Sequence, residues 1–364
     1  MPSTSGPPRL RRLVLPGLFV AALFAVFFFR QPGGGGFHEK VMTGSTMGTT
    51  YTVKVVVREG EGTAGDRLEV MIDNLLSSVD NTMSTYIDSS EVMDFNRHGA
   101  GDLAVSDDLL EVVAEAQRVA RLSGGAFDVT VGPLVDAWGF GPRGFTDTPS
   151  DESIGQLLAA TGFEHIGVDR EHGLLNKGSQ DVQIDLSAIA KGFAVDRVAG
   201  ALISDGFADF MVEVGGEVRA HGRNAERRVW RIGIERPQEG GRSVHTVVVL
   251  PDLALATSGD YRNFIVRDGV RVSHTIDPRI GRPISHDLAS ASVIQANCMT
   301  ADAMATALEV LGPVDGMEMA VRHDIPALFL VRLEDGTFEE RRSPLWSALI
   351  ENAASVDGVD MGGR

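Results

Sequence analysis

Several segments of the chain set carboxylates, hydroxyls or backbone donors where they could do chemistry. Asp185 to Asp196 (DLSAIAKGFAVD) follows an apolar run, Val182 to Leu186, and enters a helical pattern of Ile189, Phe193, Val198 and Leu202. A strand-to-helix turn exposes the N–H groups of the helix start, a place suited to a phosphate, and Lys191 stands in that first turn. The same pattern also fits Asp185 or Ser187 as a helix cap with Lys191 as a solvated charge. Thr300 to Leu311 (TADAMATALEVL) predicts a helix striped by Met304, Leu308 and Leu311, with Asp302 and Thr306 four residues apart on the adjacent face. A carboxylate and a hydroxyl placed so, with a loop carbonyl and phosphate oxygens, suit a hard cation such as Mg²⁺. An Asp complementing the helix dipole and a Thr bonded back to a carbonyl is the alternative. Ser273 to Gly281 (SHTIDPRIG) ends a strand pattern in a turn, where His274 beside Asp277 could act as a general base or simply be hydrogen-bonded structure. Thr257 to Tyr261 and Val214 to Glu217 are two further glycine turns that carry an acid.

Other chemistries lack their residues. Gly139 to Gly144 (GFGPRG) matches the dinucleotide fingerprint in letters, but Pro142 and the following FTDTPS describe a loop where that motif needs a helix. There is no H-E-x-x-H, no G-K-[ST] phosphate loop and no G-x-S-x-G elbow, and Cys298 is the single cysteine, which removes disulfide frameworks and multi-cysteine metal sites.

The elements that must position these residues are mixed. Thr50 to Val57, Val182 to Leu186, Phe210 to Val214, Arg231 to Ile234, Val244 to Leu250 and Phe264 to Thr275 predict strands, the last turning at Asp268-Gly269; Leu68 to Val79 and Leu109 to Leu122 predict helices. Without strict βαβ alternation the class is α+β, a single mixed domain of sheets packed with helices over residues 37–350, with 351–364 as a tail. At 43% hydrophobic and 23% charged residues, with no short repeat among its 42 glycines, the chain is neither disordered nor collagen-like. The formal charge is −17, and residues 1–36 carry four arginines and no acid, so the remainder holds 29 basic against 50 acidic residues, or −21. That balance excludes nucleic acid as a partner and requires a local cation for any anionic ligand. Residues 1–12 are basic, 13–29 (LVLPGLFVAALFAVFFF) are uncharged over 17 residues, and 30–36 form a glycine-rich linker. This predicts an uncleaved transmembrane signal anchor, since such spans run to roughly 17–25 residues and no small-residue cleavage site follows. The positive-inside bias then puts the body on the periplasmic side of the inner membrane.

Taken in order, eight segments resemble the FAD:protein FMN transferase family, the ApbE family: Gly44–Thr49, Met83–Tyr86, Gly125–Thr130, Asp185–Asp196, Gly215–Glu217, Thr257–Tyr261, His274–Gly281 and Ala301–Leu308. The resemblance implies an ApbE-like fold and an enzyme that splits the diphosphate of FAD with Mg²⁺, releases AMP and joins FMN by a phosphoester to a Ser or Thr of an acceptor protein. It implies that Met47, Tyr86 and Ala126-Phe127-Asp128 hold the flavin, that Asp185, Lys191 and Ile276 contact FAD, and that the metal takes the Ala188 and Ala305 carbonyls, Asp302 and Thr306. His274 is then the expected base and Asp277 its orienter. The acceptor would carry a D-x-x-[ST]-G-A-T-like motif, as in subunits of membrane redox pumps; no such motif occurs in this chain, so self-modification is not expected. Two departures stand out: no lipoprotein cysteine precedes the body, and Ile280 occupies the His274 turn where a small polar residue is frequent. Hydrolysis of FAD to FMN and AMP, or flavin binding without turnover, are the competing functions.

Overall fold

The computed structural model describes residues 36–58, 65–142, 144, 147–238, 243–260, 264–267 and 270–356. Strands β1 (Phe37–Thr46) and β2 (Thr49–Arg58) form a hairpin through Met47 and Gly48, both at positive φ, the two-residue turn whose twist matches paired strands. Across it Gly44 opposes Tyr51, whose ring covers the glycine so closely that a Cβ there would lie 2.5 Å from Cε1. Helix α1 (Gly65–Met83) buries Leu68, Ile72, Leu76, Val79 and Met83 at helical spacing. Then come α2 (Glu91–Arg97), β3 (Gly101–Ala104), α3 (Asp107–Leu122), α4 (Gly132–Ala137), α5 (Asp151–Leu158), β4 (Ile166–Asp169), β5 (Leu174–Lys177) and α6 (Ala190–Ser204). The second half is richer in strands: β6 (Phe210–Val214), β7 (Glu217–His221), β8 (Arg231–Glu235), β9 (Val244–Val249), β10 (Ala254–Gly259), β11 (Phe264–Arg267), β12 (Val270–Ser273), β13 (Ile276–Asp277), β14 (Arg282–Pro283) and β15 (Leu288–Gln295). Helix α7 (Cys298–Arg322), β16 (Ala327–Arg332), β17 (Phe338–Arg342) and α8 (Pro344–Val356) close the chain. The last helix runs six residues into the tail expected from 351 onward.

Eight strands make one antiparallel sheet in the order β1-β2-β6-β7-β10-β15-β16-β17. Helices α6 and α7 lie on one face and pack on each other. Beneath α7, strand β15 is buried on both faces from Leu288 to Ile294, and its Ala and Ser residues leave room for that helix. Helix α7 is itself buried nearly all round in its first three turns, then breaks at Gly312 (φ 78°, ψ −174°) before Pro313. The opposite face carries a second core of Val56, Val218, Trp230, Ile234, Leu255 and Trp346, covered by the β8–β9 hairpin and α8. A small third core joins Leu134, Trp138, Ile154 and Ile276.

The mixed α+β class and the single domain follow the sequence expectation. Val182 to Leu186 does not form a strand. Its alternation is real, with Val182, Ile184 and Leu186 buried, but its ladder partner is a side chain: Asn96 Nδ2 donates to the Ile184 carbonyl at 2.9 Å and Asn96 Oδ1 accepts from the Ile184 N–H at 2.7 Å. The described residues between α4 and α5, among them Gly139 to Pro142 and Gly144, contain no helix, as expected. The apolar segment 13–29, the Asp268-Gly269 turn and Tyr261 lie outside the described residues; among the described ones no helix is long and apolar enough to cross a membrane.

Candidate functional site

Lys191, Glu217 and Asp302 meet where α6, α7 and the β6–β7 turn converge. Lys191 Nζ lies 3.4 Å from Glu217 Oε1 and 3.6 Å from Asp302 Oδ1, and both acids are almost fully buried. Burial opposes the Lys191 charge, yet the Asp302 and Glu217 carboxylates outweigh it and raise its pKa, so the ammonium persists. Burial first, then Asp302, pushes the Glu217 carboxyl well above the usual range, with Lys191 pulling the other way.

Glycines make this convergence possible. A Cβ on Gly192 would stand 2.4 Å from the Cys298 carbonyl oxygen and 2.8 Å from Asp302 Cβ, so only glycine lets α6 and α7 cross this closely. The Gly192 N–H donates to Asp302 Oδ2 at 3.0 Å. The N-cap of α6, Ile189, has no side-chain cap, and Asp185 Oδ1 instead accepts from the Ser187 N–H at 2.8 Å within the preceding turn. Of the first-turn donors that the sequence offers to a phosphate, the Gly192 N–H is thus already bound to the protein's own Asp302 carboxylate. We expect Gly192→Ala to cost about 1–3 kcal/mol of stability in urea unfolding, because the nearest obstructing atoms belong to the Cys298 backbone and cannot rotate away; an unchanged midpoint would contradict this crossing.

The β6–β7 turn is equally tight. Gly215 and Gly216 have φ of 62° and 107°, and the Gly215 N–H donates to the Thr50 carbonyl at 3.0 Å. A Cβ on Gly215 would come within 2.9 Å of Thr49 Cγ2 and 3.1 Å of Lys191 Cδ. The Met47–Gly48 hairpin therefore lies alongside the lysine. Met47 is half-buried at φ 49°, a left-handed conformation that a long side chain adopts at a cost.

A second group of predicted residues lines up from the turn before α6. Tyr86 is 70% exposed, and its hydroxyl pKa is raised by partial burial and by the Asp185 and Asp136 carboxylates nearby. The Asp185 N–H donates to the Val129 carbonyl at 2.7 Å, joining this turn to the Ala126–Asp128 segment. Within that segment the side chains serve the fold: Phe127 is in the main core, and Asp128 accepts from the Thr130 N–H and hydroxyl and from the Phe163 N–H. What it offers a ligand is backbone. Gly125, at φ 81°, faces Arg279, which is 3.8 Å from where a Cβ would be. Asp277, expected to orient His274, instead holds Arg279 through both oxygens at 2.9 and 2.8 Å. His274 is half-buried with its ring edge-on to Phe140, centroids 6.4 Å apart. Ile276 packs its side chain into the small third core, while Ile280 at the tip of the same turn is 54% exposed, and nothing in the structure explains its identity.

Of the residues expected to hold a metal, Asp302, the buried Ala305 and the half-buried Thr306 lie on consecutive turns of α7, and Ala188 lies two residues before α6. Among the described residues no three His, Cys, Asp or Glu side chains cluster as a metal site. Cys298 is fully buried, and burial pushes its thiol up. Glu217 is the residue whose importance the sequence hid behind a glycine turn.

The ApbE family model matches residues 47–329, from the tip of the first hairpin to β16. The chain belongs to the ApbE family. It is 46% identical over 304 residues to an FAD:protein FMN transferase of Vibrio cholerae, covering 83% of this chain and 90% of that one. With its counterpart from Escherichia coli it shares 35% over 340 residues, 92% of this chain and 96% of that one. Among solved structures, the flavin transferase ApbE from Vibrio cholerae superposes with a TM-score of 0.78 at 43% identity, covering 86% of this chain and 99% of that one. The apo form of Pseudomonas stutzeri flavinyl transferase ApbE gives 0.78 at 40%, with 86% and 97% covered. The family match takes in both groups of site residues, from Met47 to Thr306.

Proposed function

We propose that this enzyme transfers FMN from FAD to a Ser or Thr hydroxyl of an acceptor protein, forming a phosphoester and releasing AMP. The observation that carries this is the half-buried Lys191 between two buried carboxylates, on the helix that follows the Asp185 turn, with Tyr86 near Asp185, in a chain of the ApbE family. An acidic body has to offer the FAD diphosphate a concentrated positive site, and Lys191 is placed to be part of it.

The residues fit Mg²⁺ as the remainder of that site. Among the described residues, Asp302 Oδ1 is engaged by the Lys191 ammonium alone, at 3.6 Å, and by no hydrogen-bond donor. Asp302, the Thr306 hydroxyl and the Ala188 and Ala305 carbonyls are all hard oxygen donors, the set that Mg²⁺ prefers over the nitrogen and sulfur of a zinc site. When bound there, Mg²⁺ supplies charge neutralisation and polarises the diphosphate as a Lewis acid.

The chain's own residues do the rest, since phosphoryl transfer depends mostly on positioning and charge. The exposed Tyr86 ring gives the flavin a face to stack on, and Met47 and the backbone of Ala126–Asp128 bound its site. Lys191 meets the diphosphate. The acceptor oxygen attacks the FMN-side phosphorus, its proton passes to His274, and the bond to the AMP oxygen breaks, AMP leaving with that electron pair. Phe140 packs edge-on against the His274 ring.

The body operates on the periplasmic side of the inner membrane, carried by segment 13–29 as a signal anchor, and its acceptors are membrane redox-pump subunits with the D-x-x-[ST]-G-A-T-like motif. The test is AMP release by the full chain with FAD and Mg²⁺, with and without a protein bearing that motif. Transfer requires AMP to appear with the acceptor and stay at background without it. AMP at the same rate in both would make the protein an FAD diphosphatase, and none in either would make it a flavin carrier.

A further inference from the structure

Glu217 has no part in the reaction as described, yet it is 3% exposed, ion-paired with Lys191, and leaves Oε2 without a hydrogen-bond partner. Its position is enforced. Glu217 pairs with Val214 across the Gly215-Gly216 turn, which fixes its backbone at the start of β7 with the side chain buried. Two residues on, on the same face of β7, Arg219 donates to Asp196 of α6 at 2.6 Å, and Asp196 accepts from the Met299 N–H of α7 at 2.9 Å. Strand and both helices are therefore locked in one register around the lysine. The Lys191 stem runs close past Gly215, where an added Cβ would stand 3.1 Å from its Cδ.

Among the described residues, Glu217 and Asp302 are the carboxylates ion-paired with Lys191, and Glu217 is slightly the nearer. The Lys191 side chain is only 26% exposed, and an ammonium with so little water is drawn to the carboxylate that remains beside it. Without Glu217 it would close onto Asp302 Oδ1, the oxygen that Gly192 leaves open by binding Oδ2. We propose that Glu217 is a positioning residue for Lys191: it keeps the ammonium off Asp302, so that Asp302 can take the cation while Lys191 faces the diphosphate. This rests on the cation reading of Asp302.

The test is Mn²⁺ binding to the full chain without FAD, followed by electron paramagnetic resonance, in Glu217→Gln, Lys191→Met and the double variant. Glu217→Gln weakens Mn²⁺ binding about tenfold when Lys191 is present and less than twofold in the Lys191→Met background, because there is then no ammonium to close on Asp302. A loss of equal size in both backgrounds overturns the proposal and makes Glu217 a direct partner of the cation. No loss in either overturns it as well. Glu217→Asp, which keeps the charge on a shorter arm, undergoes the same cycle if Glu217→Gln does not fold, with the same dependence on Lys191 expected. Asp302→Ala separates the two levels: Mn²⁺ binding that survives it overturns the cation reading and this proposal together, whereas binding lost there but indifferent to Glu217→Gln overturns the positioning role alone.

Discussion

Replacing Asp302 with Asn lowers the rate of FMN transfer about 10³-fold, while the protein stays folded. The magnitude follows from what a metal-binding carboxylate contributes: several kcal/mol of charge stabilisation at the diphosphate, at 1.36 kcal/mol per factor of ten. The choice of Asn isolates the charge. Asp302 Oδ2 accepts the Gly192 N–H at 3.0 Å, and an Asn carbonyl can accept the same bond, so the α6–α7 crossing is kept. Asp302→Ala loses that acceptor as well and is expected to add about 1–3 kcal/mol of destabilisation for the unpaired buried N–H. Equal activity loss in the two variants with unequal urea midpoints is the predicted pattern. Activity retained in Asp302→Asn would remove this carboxylate from the metal site.

His274→Ala lowers the transfer rate about 10²- to 10⁴-fold, the range for loss of a general base, and leaves the FAD dissociation constant within about twofold. The split between rate and binding is what the geometry requires. His274 sits at the end of β12 against Phe140, on the turn that Asp277 and Arg279 pin, while the contacts proposed for FAD come from Tyr86, the Asp185 turn and Lys191. Single-turnover transfer measured beside FAD binding checks it. A rate unchanged with binding intact would assign the proton to another group. Because Asp277 is engaged by Arg279, Asp277→Asn should act by loosening the turn, reducing rate and stability together.

Much of this architecture is written locally in the chain. Strands β2 and β6 and helices α1, α3, α6 and α7 announce themselves through periodicity, since each buries one face or, in α7, nearly all of itself. The Asp302 and Thr306 pair was legible because four residues on a helix is a fixed geometry. What was not legible depends on partners distant in sequence. Val182–Leu186 reads as a strand because its alternation is that of one, and nothing local reveals that Asn96 stands in for the neighbouring strand. His274 and Asp277 stand three residues apart and read as a base and its orienter, whereas Arg279, closer along the turn, takes both carboxylate oxygens. Gly192 looks like an ordinary helix glycine until α7 is laid across it, and Glu217 looks like a turn acid until Lys191 arrives beside it from α6.

Transfer of FMN to a protein hydroxyl is tested most directly by the intact mass of an acceptor bearing the D-x-x-[ST]-G-A-T-like motif after incubation with the full chain, FAD and Mg²⁺. The acceptor should gain the mass of one FMN less one water, on the Ser or Thr of the motif, with one AMP released per modified chain. An acceptor of unchanged mass in a reaction that nevertheless accumulates FMN and AMP would contradict it.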